Sequence, residues 1–326
     1  MPDIKIVFMG TPDFAVPCLD ALVAENYRVV GCVTQPDRPK GRGQKLICPP
    51  VKDAAMRHAI PVLQPETLRD PHIRQQLAQF GADLFVVVAY GLILPRSVLA
   101  MPRSGCVNVH ASYLPAYRGA APINWSIVRG ESGTGVTTML MDRGMDTGPM
   151  LLRERESILP NDTAQTLHDR LARKGAALLV ETLPLFLSGK LSPQPQNESD
   201  ASYAPLIKKE DGRIDWQQSA LQIFNQIRGF TPWPGTYTFL SGQMLKIFQA
   251  TLRPSLATSP EVAPGTVVAV GTGEILIQTG AGCLALQELQ LSNRNRMSCA
   301  DFLRGAKITV GMRLENPATT ASSTPL

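Results

Sequence analysis

The chain has 326 residues, 44% of them apolar and 18% charged, and its 32 basic and 27 acidic side chains leave a net charge of +5. That mixture excludes a disordered or fibrous protein, and the length favours two cores over one. The small basic excess permits a polyanionic partner without requiring one. The opening MPDIKIVFMG has no basic segment followed by a long apolar one, so no signal peptide is expected. The longest apolar run, LFVVVAYGLIL, is interrupted at Gly91 and stopped at Pro95, too short for a membrane span. The six cysteines are scattered with no C-x-x-C pair, which predicts neither a zinc site nor a redox pair. A cytoplasmic protein without a bound metal is expected.

In chain order, continuous β-branched runs predict strands at 4–10, 28–34, 83–90, 106–110 and 135–141. Helical patterns fall between them at 14–24, 50–58, 70–80 and 122–129. This alternation predicts an α/β domain, a Rossmann-like mostly parallel sheet covered on both faces, with ligands beyond the carboxyl ends of its strands. A longer helix follows over 161–187, capped by Asn161 or Asp162 and striped by Leu167, Leu171, Leu178 and Leu179. Residues 188–206, rich in Pro, Ser, Asn and Gln, read as a linker. Strand patterns at 236–240, 244–252, 265–271, 274–280 and 283–290, divided by glycine turns, predict a small OB-like β-barrel over 207–315. Residues 316–326 read as a disordered tail. The catalytic domain is thus expected over 1–187.

MGTPDFA, after the first strand, sits where a phosphate loop would, but Gly10 is its sole glycine and G-x-G-x-x-G is missing. A tight strand-to-helix turn accounts for it. The segment NVHASYLPAYRG (108–119) is more specific. Asn108 and His110 are two residues apart and share one face of a strand end. An asparagine amide can donate to a developing oxyanion, and an imidazole can exchange a proton near neutral pH. The block MDRGMDTG (141–148) adds Asp142 and Asp146 among glycines that let the backbone approach a ligand. A carboxylate there can orient the imidazole or accept a proton. An Asx turn explains one of these aspartates but not the whole block.

N-x-H-x-S-x-L-P-x-Y-R-G at 108–119, then Pro122 and MDRGMDTG, together resemble the folate-dependent formyltransferases. That resemblance implies a catalytic trio of Asn108, His110 and Asp146, acting on the formyl group of 10-formyltetrahydrofolate without a metal. Asn108 and His110 would stabilise the oxygen that becomes negative as an amine attacks, and Asp146 would hold His110. Whether His110 or Asp146 moves the proton stays open. The resemblance also places folate against Ser112, Tyr113, Leu114 and Pro115, with the 86–94 stretch supplying backbone groups and apolar walls. Further segments, FMGTPDFAV, 34–52, KKEDGRIDW (208–216) and RGFTPWPGTY (228–237), resemble the branch whose acceptor is methionyl initiator tRNA. The likeness runs from residue 3 to 315. It implies RNA contacts at Arg38, Lys40, Arg42 and Lys45, in a basic loop with Asp37 as its one acid, and at Lys208 and Lys209. Residues 207–326 carry 11 basic and 8 acidic side chains, so RNA binding would rest on local patches such as these and Arg213. A monomer is expected. The competing readings are formyl transfer to a small amine, hydrolytic formate release from the same folate, and RNA binding by an inactive relative.

Overall fold

The computed structural model of the chain describes residues 4–40, 45–253 and 261–315. Contacts divide it into two units, the first comprising Met1–Ile123, Gly133–Ile158 and Thr166–Pro205, the second Asn124–Ser132, Leu159–Gln165 and Leu206–Leu326. Up to the second helix the elements run β1 (Lys5–Gly10), α1 (Val16–Ala24), β2 (Arg28–Val33), β3 (Arg38–Lys40), β4 (Lys45–Ile47) and α2 (Pro50–Arg57). Then come β5 (Val62–Leu63), α3 (Pro71–Gln79), β6 (Leu84–Val88), α4 (Arg96–Leu99), β7 (Cys106–His110), β8 (Arg118–Gly119) and α5 (Pro122–Val128). β9 (Gly133–Leu140), β10 (Met150–Ser157), α6 (Ala164–Leu187) and β11 (Tyr203–Ala204) complete the chain to residue 205.

Seven strands form the main sheet in the order β10-β9-β7-β6-β1-β2-β5. The five from β7 to β5 are parallel, β9 runs antiparallel to β7, and β10 runs antiparallel to β9. The strands expected from the β-branched runs are present. β10 was not foreseen, because its LLRERES places charges on an edge strand instead of a continuous apolar run. One face of the sheet carries Val7, Met9, Val33, Phe85, Val87 and Cys106 against Leu77 of α3 and Val98 of α4. The other face meets α6, where Gly175 lies so close that an added Cβ would sit 3.0 Å from Val109. Side chains alternate along a strand. With Val109 turned to α6, Asn108 and His110 face the opposite side at the strand's carboxyl end.

Two expectations need correction here. The basic 36–45 segment is not wholly a loop: β3 and β4 form an antiparallel ladder pairing Arg38 with Ile47, Pro39 with Leu46 and Lys40 with Lys45. Residues 188–205 are part of the first unit, not a free connection. β11 pairs in parallel with β8, and Gln194 exchanges backbone hydrogen bonds of 2.7 and 2.8 Å with Met150. Their polar composition hides side chains that bond to neighbouring backbone.

In the second unit, α7 (Ala220–Gly229) precedes β12 (Thr236–Leu240), β13 (Gln243–Arg253), β14 (Val267–Val270), β15 (Ile275–Gln278) and β16 (Cys283–Leu291). β17 (Met297–Ser298), α8 (Cys299–Gly305) and β18 (Leu314–Glu315) follow. The antiparallel order is β14-β15-β16-β13-β12-β18. Val267 N–H donates to Met312 O at 2.8 Å and Leu314 N–H to Gly265 O at 2.8 Å, drawing the two edges together so that the sheet curls as the expected barrel does. Its core includes Trp216, Ile223, Ile227, Ile247, Ile277, Leu286 and Phe302. α6 begins at Ala164, just after the predicted start, and Asp162 accepts from Leu159 N–H at 2.7 Å. The tail at 316–326 lies outside the described residues.

Candidate active site

The parallel strands end together: Gly10 of β1 is in register with Val88 of β6, and Val87 with Asn108 of β7. Gly10 is required by close approach, since an added Cβ would lie 2.8 Å from Ala15 Cβ and 3.0 Å from Val88 O. The tight-turn reading of MGTPDFA therefore accounts for that residue. Beyond β6 the chain turns back through Ala89 and Gly91, and Tyr90 O accepts from Thr11 Oγ1 at 2.8 Å and Gln35 Nε2 at 3.1 Å.

Asn108 Nδ2 donates to Val87 O at 3.1 Å. A carbonyl only accepts, so this contact fixes which end of the amide faces β6. Oδ1 is left buried and without a partner. Such an orphan costs about 1–3 kcal/mol, which a bound molecule carrying a donor would recover. Sequence reasoning anticipated a donor toward the ligand; the geometry presents Oδ1 first, together with the second Nδ2 hydrogen.

His110 is 7% exposed, and its Nε2 lies 3.0 Å from Tyr117 O. Because that oxygen accepts, Nε2 holds the proton and Nδ1 is the nitrogen turned to Asp146, 3.6 Å from its Oδ2. Asp146 Oδ2 also accepts from Gly119 N–H at 2.8 Å. Asp146 itself adopts a left-handed φ of +56°, a conformation that aspartate tolerates better than most residues. Its loop neighbour Asp142 is engaged locally, accepting from Gly144 N–H at 2.9 Å and Thr147 Oγ1 at 2.7 Å. The Asx turn thus accounts for Asp142, while Asp146 is the carboxylate presented to the imidazole. The structure brings the trio's His110 and Asp146 into contact and sets Asn108 on the same strand face.

The four residues expected to touch folate behave differently from one another. Ser112 is fully buried and donates to Ala116 O at 2.6 Å. Leu114 is fully buried beside Met139 and Met150, its N–H donating to Thr137 Oγ1 at 3.1 Å and its O accepting from Arg153 at 2.7 Å. These side chains hold the loop together, so surface for a ligand falls to Tyr113 and Pro115, which are partly exposed. Sequence reasoning missed the guanidinium groups of Arg153 and Arg155, whose centres lie 4.5 and 4.2 Å from the Tyr113 ring centroid. Their i, i+2 spacing on a charged strand was the available signal.

A model described as formyl transferase matches residues 4–183, and one described as formyl transferase, C-terminal domain, matches residues 206–307. The chain belongs to the formyl transferase family. The methionyl-tRNA formyltransferase of Geobacter sulfurreducens is 50% identical over 314 residues, covering 96% of this chain and 98% of the relative. That of Geobacter metallireducens is 51% identical over 314 residues, covering 96% and 99%. Among solved structures, the N-formyltransferase from Helicobacter canadensis, in complex with folinic acid and dTDP-3-aminofucose, matches with a TM-score of 0.65 at 21% identity. That match covers 87% of this chain and 98% of the other, and it speaks to the fold alone.

In this formyl transferase family member, Arg38 is exposed on β3, and Lys208 and Lys209 are exposed at the start of a short turn of helix. Lys40 and Lys45 occupy facing backbone positions of the hairpin, and Arg42 lies outside the described residues. Asp37, the segment's single acid, is tied to Lys52 at 2.7 Å and Gln64 at 2.7 Å, which holds its carboxyl below the usual carboxylate range. A cavity of about 550 Å³ in the second unit is lined by Phe224, Arg228, Phe248, Thr251 and Arg296 among others, and contains none of the trio. Among the described residues, no group of His, Cys, Asp and Glu is arranged to hold a metal. Nor is any helix there long and apolar enough to cross a membrane.

Proposed function

We propose that this protein transfers the formyl group of 10-formyltetrahydrofolate to the amino group of methionyl initiator tRNA. The observation that carries the reading is the identity of about half the residues to methionyl-tRNA formyltransferases over nearly the whole of both chains. Bound folate supplies an activated formyl carbon beside the ends of β6 and β7. Asn108, fixed by Val87, turns Oδ1 toward a hydrogen of the attacking amine and offers its second Nδ2 hydrogen to the formyl oxygen. A donor about 3 Å from that oxygen stabilises charge only as it develops, which is how such a group accelerates acyl transfer. His110 Nδ1 and the Asp146 carboxylate together accept the proton that leaves the amine, and returning it to N10 of the folate lets the carbon–N10 bond break and the formamide and tetrahydrofolate separate. Tyr113 and Pro115 border the folate, with the 86–94 segment beneath it.

Acceptor RNA is held by charge. Arg38, Lys40, Arg42 and Lys45 of the basic segment, and Lys208 and Lys209, contact phosphates of the acceptor arm. The chain acts as a cytoplasmic monomer. Catalytic organisation follows 1–187 for chemistry and 207–315 for RNA, with the 188–205 segment belonging to the chemical part. The deciding experiment is formyl transfer from 10-formyltetrahydrofolate to methionyl initiator tRNA, run beside elongator methionyl-tRNA and a free small amine. Transfer confined to the initiator is expected. Equal transfer to a small amine, or formate release without transfer, would replace this reading.

A further inference from the structure

Residues 194–204 reach both loops of the candidate site. Gln196 Nε2 donates to the main-chain oxygens of Asp146 at 2.7 Å and Gly148 at 2.8 Å. Gln196 Oε1 accepts from Arg118 Nε at 2.9 Å. Arg118 has no exposed surface, and its two remaining nitrogens bond Glu198 Oε2 and Oε1 at 2.9 and 2.8 Å. Further along, Ser202 Oγ accepts from Tyr117 N–H at 2.9 Å, and Tyr117 O is the partner of His110. One short stretch therefore touches the backbone that carries Asp146 and the backbone that orients His110.

We propose that residues 194–204 are a strap that sets the His110–Asp146 geometry, and that Gln196 is a positioning residue for Asp146. The proposal rests on the functional reading above. Asp146 sits in a left-handed conformation within a glycine-rich loop, and a non-glycine residue keeps such a conformation only where its surroundings over-determine it. Gln196 supplies that determination from outside the loop, because both of its amide hydrogens are engaged on Asp146 and Gly148. Its carbonyl end is locked in turn by a buried guanidinium that cannot move without leaving Glu198. Misplacing a reacting group by about 1 Å can reduce turnover by roughly 100-fold.

Three successive amides make the idea measurable. Arg118 N–H donates to Ser202 O at 2.8 Å and Ala120 N–H to Ala204 O at 2.9 Å, both on the strap backbone, whereas Gly119 N–H between them donates to Asp146 Oδ2 at 2.8 Å. Gln196→Leu removes all three side-chain bonds. Gln196→Glu keeps the acceptor for Arg118, and so the seated strap, but sets a carboxylate against two carbonyls. In the full-length enzyme we expect both variants to lose about 10- to 100-fold in kcat, with KM for folate and for tRNA within about threefold. We also expect faster hydrogen exchange at Gly119 with Arg118 and Ala120 still protected. A kcat within twofold of wild type, or equal loosening of all three amides, overturns the positioning role. If the wild type transfers no formyl group, the functional reading fails, and exchange at Gly119 decides the strap alone: selective exposure supports it and retained protection overturns it.

Discussion

Replacing Asp146 by Asn removes one charge and little else. The amide oxygen can still accept from Gly119 N–H, now at 2.8 Å, so the loop keeps its closure. What disappears is attraction between the carboxylate and an imidazole that gains a proton as the amine loses one. The separation of 3.6 Å, at an effective dielectric of about 20, makes that attraction roughly 4–5 kcal/mol. The carboxylate is 19% exposed, so solvent takes back part of it. About 4 kcal/mol of lost transition-state stabilisation corresponds to a rate reduction of roughly 1,000-fold. Single-turnover transfer to methionyl initiator tRNA with enzyme in excess isolates that step from product release. Folate affinity, measured separately by fluorescence, should change less than about threefold. A single-turnover rate within tenfold of wild type would refute the argument, because no charge coupling of this size would then exist at that distance.

Other expectations follow from packing and charge. Leu114→Ala empties a fully buried position beside Met139 and Met150 and should cost about 2–5 kcal/mol in chemical denaturation; a loss under 1 kcal/mol would mean that the loop collapses to fill the space. Five of the six cysteines are buried, and burial pushes Cys18, Cys32 and Cys106 up to about 12. Native protein should therefore expose Cys48 alone to a thiol reagent. Its thiol donates to Asp53, which raises its pKa, so modification should be slow at pH 7 and accelerate as rising pH forms thiolate; fast labelling at pH 7 would contradict that bond. Arg38→Ala and Lys208→Ala should each lower the slope of log tRNA affinity against log salt by about one, leaving kcat at saturating tRNA unchanged. An unaltered slope would remove that residue from the RNA interface.

Four of the five parallel strands were readable because strands covered on both faces are mostly apolar, as in LFVVV of β6, whereas β5, only two residues long, carries too short a pattern and was not foreseen. His110 and Asn108 were readable because two-residue spacing at a strand end leaves one face for both. Segment 188–205 was misread because apolar periodicity is what a sequence displays, whereas Gln196, Glu198 and Ser202 act through individual polar side chains at irregular spacing. α7 was missed although its start was written in the sequence: Ser219 and Gln222 form a reciprocal capping box, with Ser219 N–H donating to Gln222 Oε1 at 3.0 Å. The burial of Ser112 and Leu114 could not be read at all, since it depends on Thr137, a residue from a different strand that bonds both Ser112 O and Leu114 N–H.

The buried guanidinium of Arg118 also limits how the gene can be dissected. A fragment ending at 183, where the first family model stops, or at 187, where the composition changes, would carry Arg118 but neither Gln196 nor Glu198. Its guanidinium would lose Gln196 and Glu198, which bond all three of its nitrogens, together with the cover that this segment gives it. Chimaeras that graft another C-terminal half onto this enzyme should therefore place their junction after Pro205, so that the transplanted boundary leaves Gln196 and Glu198 on the same side as Arg118.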